Sequence, residues 1–204
     1  MRISILDFGK SLAYTKMVEK IIHQIWIGDF KMPLREANLI KQLKELHPDY
    51  EHVLWTDNNV HLSALPDNVR TMYDYFYNRK DYVFCADLMR IFVVWAFGGF
   101  YLDVDFDVKT RLDPFFENEG CLFYHNDTDY TIPNNLICLK QNSPILDYCL
   151  KSVNEGCSWY GPSWFGITVK EFLKLPNEGN QERVKQALSP FNVDYYQYYT
   201  MDLP

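Results

Sequence analysis

The chain has 204 residues, enough for one domain with a real core, and its 48% hydrophobic, 23% charged composition is that of a globular protein. A net charge of −7 argues against a nucleic-acid partner, because phosphates are met by basic residues. Five scattered cysteines with no C-x-x-C pair argue against a zinc site or a disulfide framework and point to reduced thiols in a cytoplasmic setting.

Residues 1–16 read as an N-terminal extension ahead of a domain expected over 17–204, because Ile3 to Leu6 is too soon interrupted by Asp7 and Lys10 to be a signal peptide's apolar region. No stretch reaches the roughly eighteen apolar residues of a membrane span. Ile21 to Ile27 is expected as a buried strand closed by a Gly28-Asp29 turn. Pro33 opens a helix with Leu39, Ile40, Leu43 and Leu46 at helical spacing, stopped by Pro48. Tyr50 to Trp55 forms a second strand, ending at Thr56-Asp57-Asn58-Asn59. Strand, helix, strand in this order predicts a parallel α/β sheet. Its ligands would gather at the carboxyl ends of the strands, where Gly28, Asp57 and a later acidic strand would line one crevice.

That acidic strand belongs to Asp81–Asp107, DYVFCADLMRIFVVWAFGGFYLDVDFD. Its first half predicts a helix that is apolar almost all round, in which Asp87 and Arg90, three apart, share a face. Gly98-Gly99 ends the helix with the positive φ angles that glycine tolerates. Beyond it Phe100, Leu102 and Val104 alternate with Tyr101, Asp103 and Asp105, which predicts a strand with one core face and one Tyr-Asp-Asp face. Two carboxylates two residues apart suit a hard cation shared with phosphates, Mg²⁺ or Mn²⁺. Further on, Leu112 to Phe116 is expected as a loop, Cys121 to Tyr124 as a strand, and Pro133 to Leu139 as a turn entering a strand. Ser143-Pro144 starts a helix through Val153, and Tyr160-Gly161-Pro162-Ser163 is a turn before a helix from about Ile167 to Leu175. The tail tyrosines Tyr195, Tyr196, Tyr198 and Tyr199 suit either packing on the sheet or stacking an acceptor sugar.

Ala86, Asp87, Leu88 and Arg90, then an apolar run and Gly98, Gly99, Tyr101, Leu102, Asp103 and Asp105, resemble the signature of the DXD-containing sugar-binding glycosyltransferases, family 32. That family is similar in this region to initiation-type mannosyltransferases and to the glucosylating clostridial toxins. Ile21 to Gly28, IIHQIWIG, resembles the family's opening strand, and the two blocks come in the family's order. The resemblance implies a GT-A-type α/β domain with a mostly parallel central sheet flanked by helices. It implies a metal-dependent, retaining transfer of a sugar from a UDP- or GDP-sugar to a glycan, lipid-linked or protein acceptor, with peripheral membrane association left open.

The resemblance also assigns residues. Asp105 would bind Mn²⁺ or Mg²⁺ directly, and Asp103 through water or the donor's ribose. Asp87 and Arg90 would hold the donor sugar's hydroxyls, Arg90 also offering charge to the phosphates, and the Tyr101 hydroxyl would reach a phosphate oxygen. Trp26 would lie against the nucleotide base, though a core tryptophan fits equally, and Asn134 and Asn135 are both candidates for an asparagine facing the donor sugar. Two departures stand out. Ala86 replaces a frequent serine, and no histidine follows His125, where many members complete the metal site. A catalytically weak nucleotide-sugar-binding module is therefore one rival. Another is an aspartate-nucleophile phosphatase on Asp105-Phe106-Asp107-Val108, which lacks the downstream acidic pair such enzymes need. A calcium loop fails, with Val108 and Pro114 where glycine and glutamate belong.

Overall fold

β1 (Ile21–Ile25) and β2 (Glu51–Trp55) pair in parallel, in register from Ile21 opposite Glu51 to Ile25 opposite Trp55, with α1 (Leu34–Leu46) connecting them. The computed structural model describes residues 18–116, 120–122, 132–154 and 160–174. The expected extension at 1–16, the greater part of the loop before Pro133 and the tail tyrosines lie outside these residues. β1 stops at Ile25 rather than Ile27: Trp26 N–H still donates to the Trp55 carbonyl at 2.8 Å, and the chain then leaves the sheet. Pro33, at φ −62°, precedes the first turn of α1, where a missing N–H costs nothing, and Ile40 and Leu43 bury the inner face.

α2 (Asp67–Asn78) is additional to the expected elements. Its signal lies in the sequence, since Val69, Met72, Tyr73 and Phe76 follow Pro66 at helical spacing, and all four are buried. α3 (Tyr82–Phe97) is the predicted central helix, with ten buried residues that include Asp87 and Arg90. It stops at Gly98 (φ +67°) and passes through Gly99 (φ +99°) directly into β3 (Gly99–Leu102). The strand passes so close to β1 that a side-chain carbon on Gly99 would lie 2.5 Å from the Ile21 carbonyl oxygen.

β3 pairs in parallel with β1 and antiparallel with β5 (Leu136–Leu139), which in turn pairs antiparallel with β4 (Gly120–Leu122). The order is β2-β1-β3-β5-β4, so among the described strands β5 alone runs against the rest. Side chains of β3 alternate as expected. Phe100 and Leu102 pack with Ile22 and Leu43 on the α1 side, and Tyr101 joins the cluster built by α2, α3, α4 (Pro144–Lys151) and α5 (Pro162–Phe172).

Two expectations are corrected. The strand ends at Leu102, so Asp103 and Asp105 stand in the turn after it: Asp103 N–H makes the last ladder bond, to the Asn135 carbonyl at 3.1 Å, and Phe106 N–H folds back to the Asp103 carbonyl. α5 begins at Pro162, earlier than the expected Ile167, because proline suits a helix's first turn as well as the turn before it. One buried histidine ties the sheet to the helix end. Trp55 Nε1 donates to His23 Nδ1 at 3.1 Å, which leaves the proton on Nε2 to donate to the Gly98 carbonyl at 2.8 Å. Burial pushes the His23 imidazole down to about 4, so it is neutral at physiological pH.

Candidate active site

The i, i+3 spacing on α3 brings Arg90 Nη2 within 3.3 Å of Asp87 Oδ1, in a pair whose side chains are only 8% and 4% exposed. The same Nη2 lies 3.3 Å from Asp103 Oδ1, just past β3. A third element closes the network. Because β5 is antiparallel to β3, with Leu136 opposite Leu102, its entry turn arrives beside Asp103. There Arg90 Nη1 donates to Asn134 Oδ1 at 3.1 Å, and Asn134 Nδ2 donates to Asp87 Oδ1 at 2.8 Å. The guanidinium also stands over the Tyr101 ring, 5.0 Å from its centroid, while the Tyr101 hydroxyl donates to Asp103 Oδ1.

Burial dominates the electrostatics of this network. It pushes the Asp87 carboxyl up to about 6, against the opposing pull of Arg90 and of the Asn134 hydrogen bond. Asp103 is raised by burial as well, opposed by Arg90 and Tyr101. Burial works against the Arg90 charge too, but Tyr101, Asp103, Asp87 and Asp105 outweigh it and hold the guanidinium protonated. The Tyr101 hydroxyl, raised well above its ordinary value by burial, stays a neutral donor.

Arg90, Tyr101 and Asp103 of this network line a cleft of about 820 Å³ together with Trp26, Phe30, Glu36 and Tyr82, while Asp87 and Asn134 are not among its lining residues. Asp105 lies on its edge and makes no hydrogen bond or ion pair among the described residues. Asp103, by contrast, is held by Arg90 and Tyr101. No third histidine, cysteine or acidic residue joins the two aspartates among the described residues.

The structure thus unites Asp87, Arg90, Tyr101, Asp103 and Asn134, and lines the cleft with Trp26 and Asp105. Trp26 is half-buried, stands outside both core clusters and donates Nε1 to the Phe30 carbonyl at 2.7 Å. Of the two asparagines, Asn134 supplies the side chain, whereas Asn135 meets Asp103 through its backbone carbonyl. Gly28 and Asp57, expected in the same crevice, brace each other instead: Gly28 N–H donates to Asp57 Oδ2 at 2.8 Å, and Asp57 opens on a separate recess with Tyr73 and Tyr77. Asp107 is ion-paired with Lys109 on the surface. Glu36 and Tyr82 are cleft residues without a sequence signal, because each reaches the cleft only through the docking of its helix.

Residues 33–121 match the profile of the glycosyltransferase sugar-binding region containing the DXD motif, a span that holds Asp87, Arg90, Tyr101, Asp103 and Asp105. The chain carries a DXD-type glycosyltransferase region. Inositol phosphoceramide mannosyltransferase 3 of Schizosaccharomyces pombe is 31% identical to it over 174 residues, 78% of this chain and 47% of that protein. Mannosyl phosphorylinositol ceramide synthase SUR1 of Saccharomyces cerevisiae is 29% identical over 140 residues, 65% of this chain and 36% of that protein. The chain spans less than half the length of either relative. Among solved structures, PaToxG Glycosyltransferase shares the fold with a TM-score of 0.56 at 16% identity, covering 86% of this chain and 85% of its own. The DXD-type glycosyltransferase region therefore lies within the GT-A-type architecture that the signature implied.

Proposed function

We propose that this protein transfers a hexosyl group from a UDP- or GDP-sugar to a hydroxyl of a lipid-linked or glycan acceptor, with a divalent cation. The observation that carries the reading is the arrangement around Arg90, which is tied to buried Asp87 and Asn134 and to Asp103 and lines the cleft beside a carboxylate, Asp105, that makes no hydrogen bond or ion pair among the described residues. The relatives' names favour mannosyl as the sugar and an inositol-phosphate lipid as the acceptor. The free thiols of Cys85, Cys138 and Cys149 are in keeping with a reducing, cytoplasmic setting.

Mg²⁺ or Mn²⁺, held by Asp105 and by Asp103 directly or through water, would supply the positive charge on which a departing diphosphate depends. The chain's own residues do the rest. Arg90 fixes Asp103 at the cleft wall and offsets its charge, so that carboxylate is oriented before any ligand arrives. Asp87 and the Asn134 amide hold the Arg90 guanidinium that lines the cleft, and Trp26, which lines the same cleft, offers a ring for a base. Incubation with a panel of nucleotide sugars, with and without Mn²⁺, tests this. Nucleoside diphosphate release from one donor, dependent on metal and lost in Asp105→Ala, is the expected result. Release unchanged in that variant would sink the assignment, and donor binding without release under any condition would favour the binding-module alternative.

A further inference from the structure

Among the described residues, the three most exposed large apolar side chains are Leu34, Val83 and Phe30, at 76%, 71% and 67% exposure. They lie on the cleft or next to its lining in sequence. Phe30 and Val83 line it, and Leu34 follows Pro33, which lines it too. The patch rests on ordered supports: the Phe30 carbonyl accepts from Trp26 Nε1 at 2.7 Å, and its ring meets the Tyr82 ring edge-on at 5.9 Å between centroids. Large apolar side chains scattered singly over a surface need no explanation, but two lining one opening with a third next to its lining in sequence mark a contact surface.

The cations around them indicate what is contacted. Lys31, Arg35, Arg79 and Lys80 lie near the three apolar residues in sequence and outnumber the acids among them, Asp29, Glu36 and Asp81, in a chain whose net charge is −7. Arg35 and Arg79 are tied to Glu36 and Asp81, whereas Lys31 and Lys80 make no ion pair among the described residues. An aromatic and two aliphatic side chains with uncommitted lysines beside them match the headgroup boundary of an anionic bilayer, where apolar groups enter the acyl edge and ammonium groups meet phosphates.

We infer that this mouth docks on an anionic phospholipid surface, with Phe30, Leu34 and Val83 in the acyl edge and Lys31 and Lys80 on headgroup phosphates. Docked this way, the cleft opens toward the membrane, and a lipid acceptor presents its headgroup to the Asp105 side without leaving the bilayer. The inference rests on the glycosyltransferase reading only for the nature of the acceptor; the docking itself requires no turnover.

The test is co-sedimentation of the full chain with phosphatidylcholine vesicles, with and without phosphatidylserine, beside Leu34→Ser/Val83→Ser and Lys31→Glu/Lys80→Glu. The expected result is binding to the anionic vesicles that weakens about tenfold in each double variant and falls as salt rises, with thermal unfolding unchanged. No binding by the wild type, or variants that bind equally well, overturns the inference. So does a dimer in sedimentation velocity that Leu34→Ser/Val83→Ser dissolves while vesicles are ignored, since the patch then serves a second copy of the chain. Nucleoside diphosphate release is read on the same preparations. Release without vesicle binding defeats only the docking, and vesicle binding without release defeats only the enzymatic reading.

Discussion

Asn134 and Asp87 stand 47 residues apart in the chain and meet at 2.8 Å, the asparagine amide donating to a carboxylate on the central helix. The same asparagine accepts from Arg90, so one side chain fixes the orientation of both charged residues. Asn134→Ala leaves Asp87 Oδ1 with Arg90 Nη2 alone and removes the acceptor of Arg90 Nη1, and is expected to cost roughly 1–3 kcal/mol in urea denaturation. Donor affinity falls with it, while the metal requirement persists.

Arg90 meets two carboxylates, an amide and an aromatic face at once. Replacement by alanine strands buried Asp87 without its counter-charge and should destabilise the fold by roughly 3–5 kcal/mol. Arg90→Lys is nearly as harmful to donor hydrolysis, because a point charge cannot reach Asp87, Asp103 and Asn134 together. A lysine variant with wild-type turnover would show that the forked geometry is dispensable.

Asp105→Ala should behave in the opposite way. With no hydrogen bond or ion pair among the described residues, its loss leaves the melting temperature within the small range of ordinary surface substitutions. Metal-dependent nucleoside diphosphate release falls by about a hundredfold or more, as expected for losing a group worth several kcal/mol to the transition state. Measuring both properties on one preparation separates a site residue from a structural one.

Two buried groups should leave opposite marks on the pH dependence of stability. Asp87 is raised from 3.8 to about 6, so its contribution is present below pH 4 and is lost as pH rises through 6. His23 is lowered from 6.5 to about 4, so its contribution is present above pH 6.5 and is lost as pH falls through 4. The melting-temperature gap between wild type and Asp87→Asn is therefore expected to narrow as pH rises across this window, and the gap to His23→Gln to narrow as pH falls. Parallel curves for either variant would remove that group as a source of the dependence.

Gly99→Ala tests the junction between helix and sheet. Gly99 has φ +99°, and a methyl group there would lie 2.5 Å from the Ile21 carbonyl oxygen, so strain and a lost β1–β3 contact act together. We expect a loss of at least about 1–3 kcal/mol, read as an earlier urea midpoint with no change in the metal dependence of the folded fraction.

The residues themselves determined what depends on neighbours in the chain. The apolar run of α3, its stop at Gly98-Gly99, the Asp87–Arg90 pairing and the alternation of Phe100, Tyr101 and Leu102 are local consequences of two periodicities, 3.6 and 2. The D-x-D pair and its surroundings were legible for the same reason. Other features were settled only by pairing across distance. The register of β5 against β3 decided that Asn134, and not Asn135, turns its amide to Asp87, because neighbouring residues point to opposite sides. Where the ladder ran out, at Asp103, decided that the two acids stand in a turn. The packing of α1 and α3 against the sheet brought Glu36 and Tyr82 to the cleft and left Phe30 and Val83 on its lining, since no local pattern encodes which helix faces which opening.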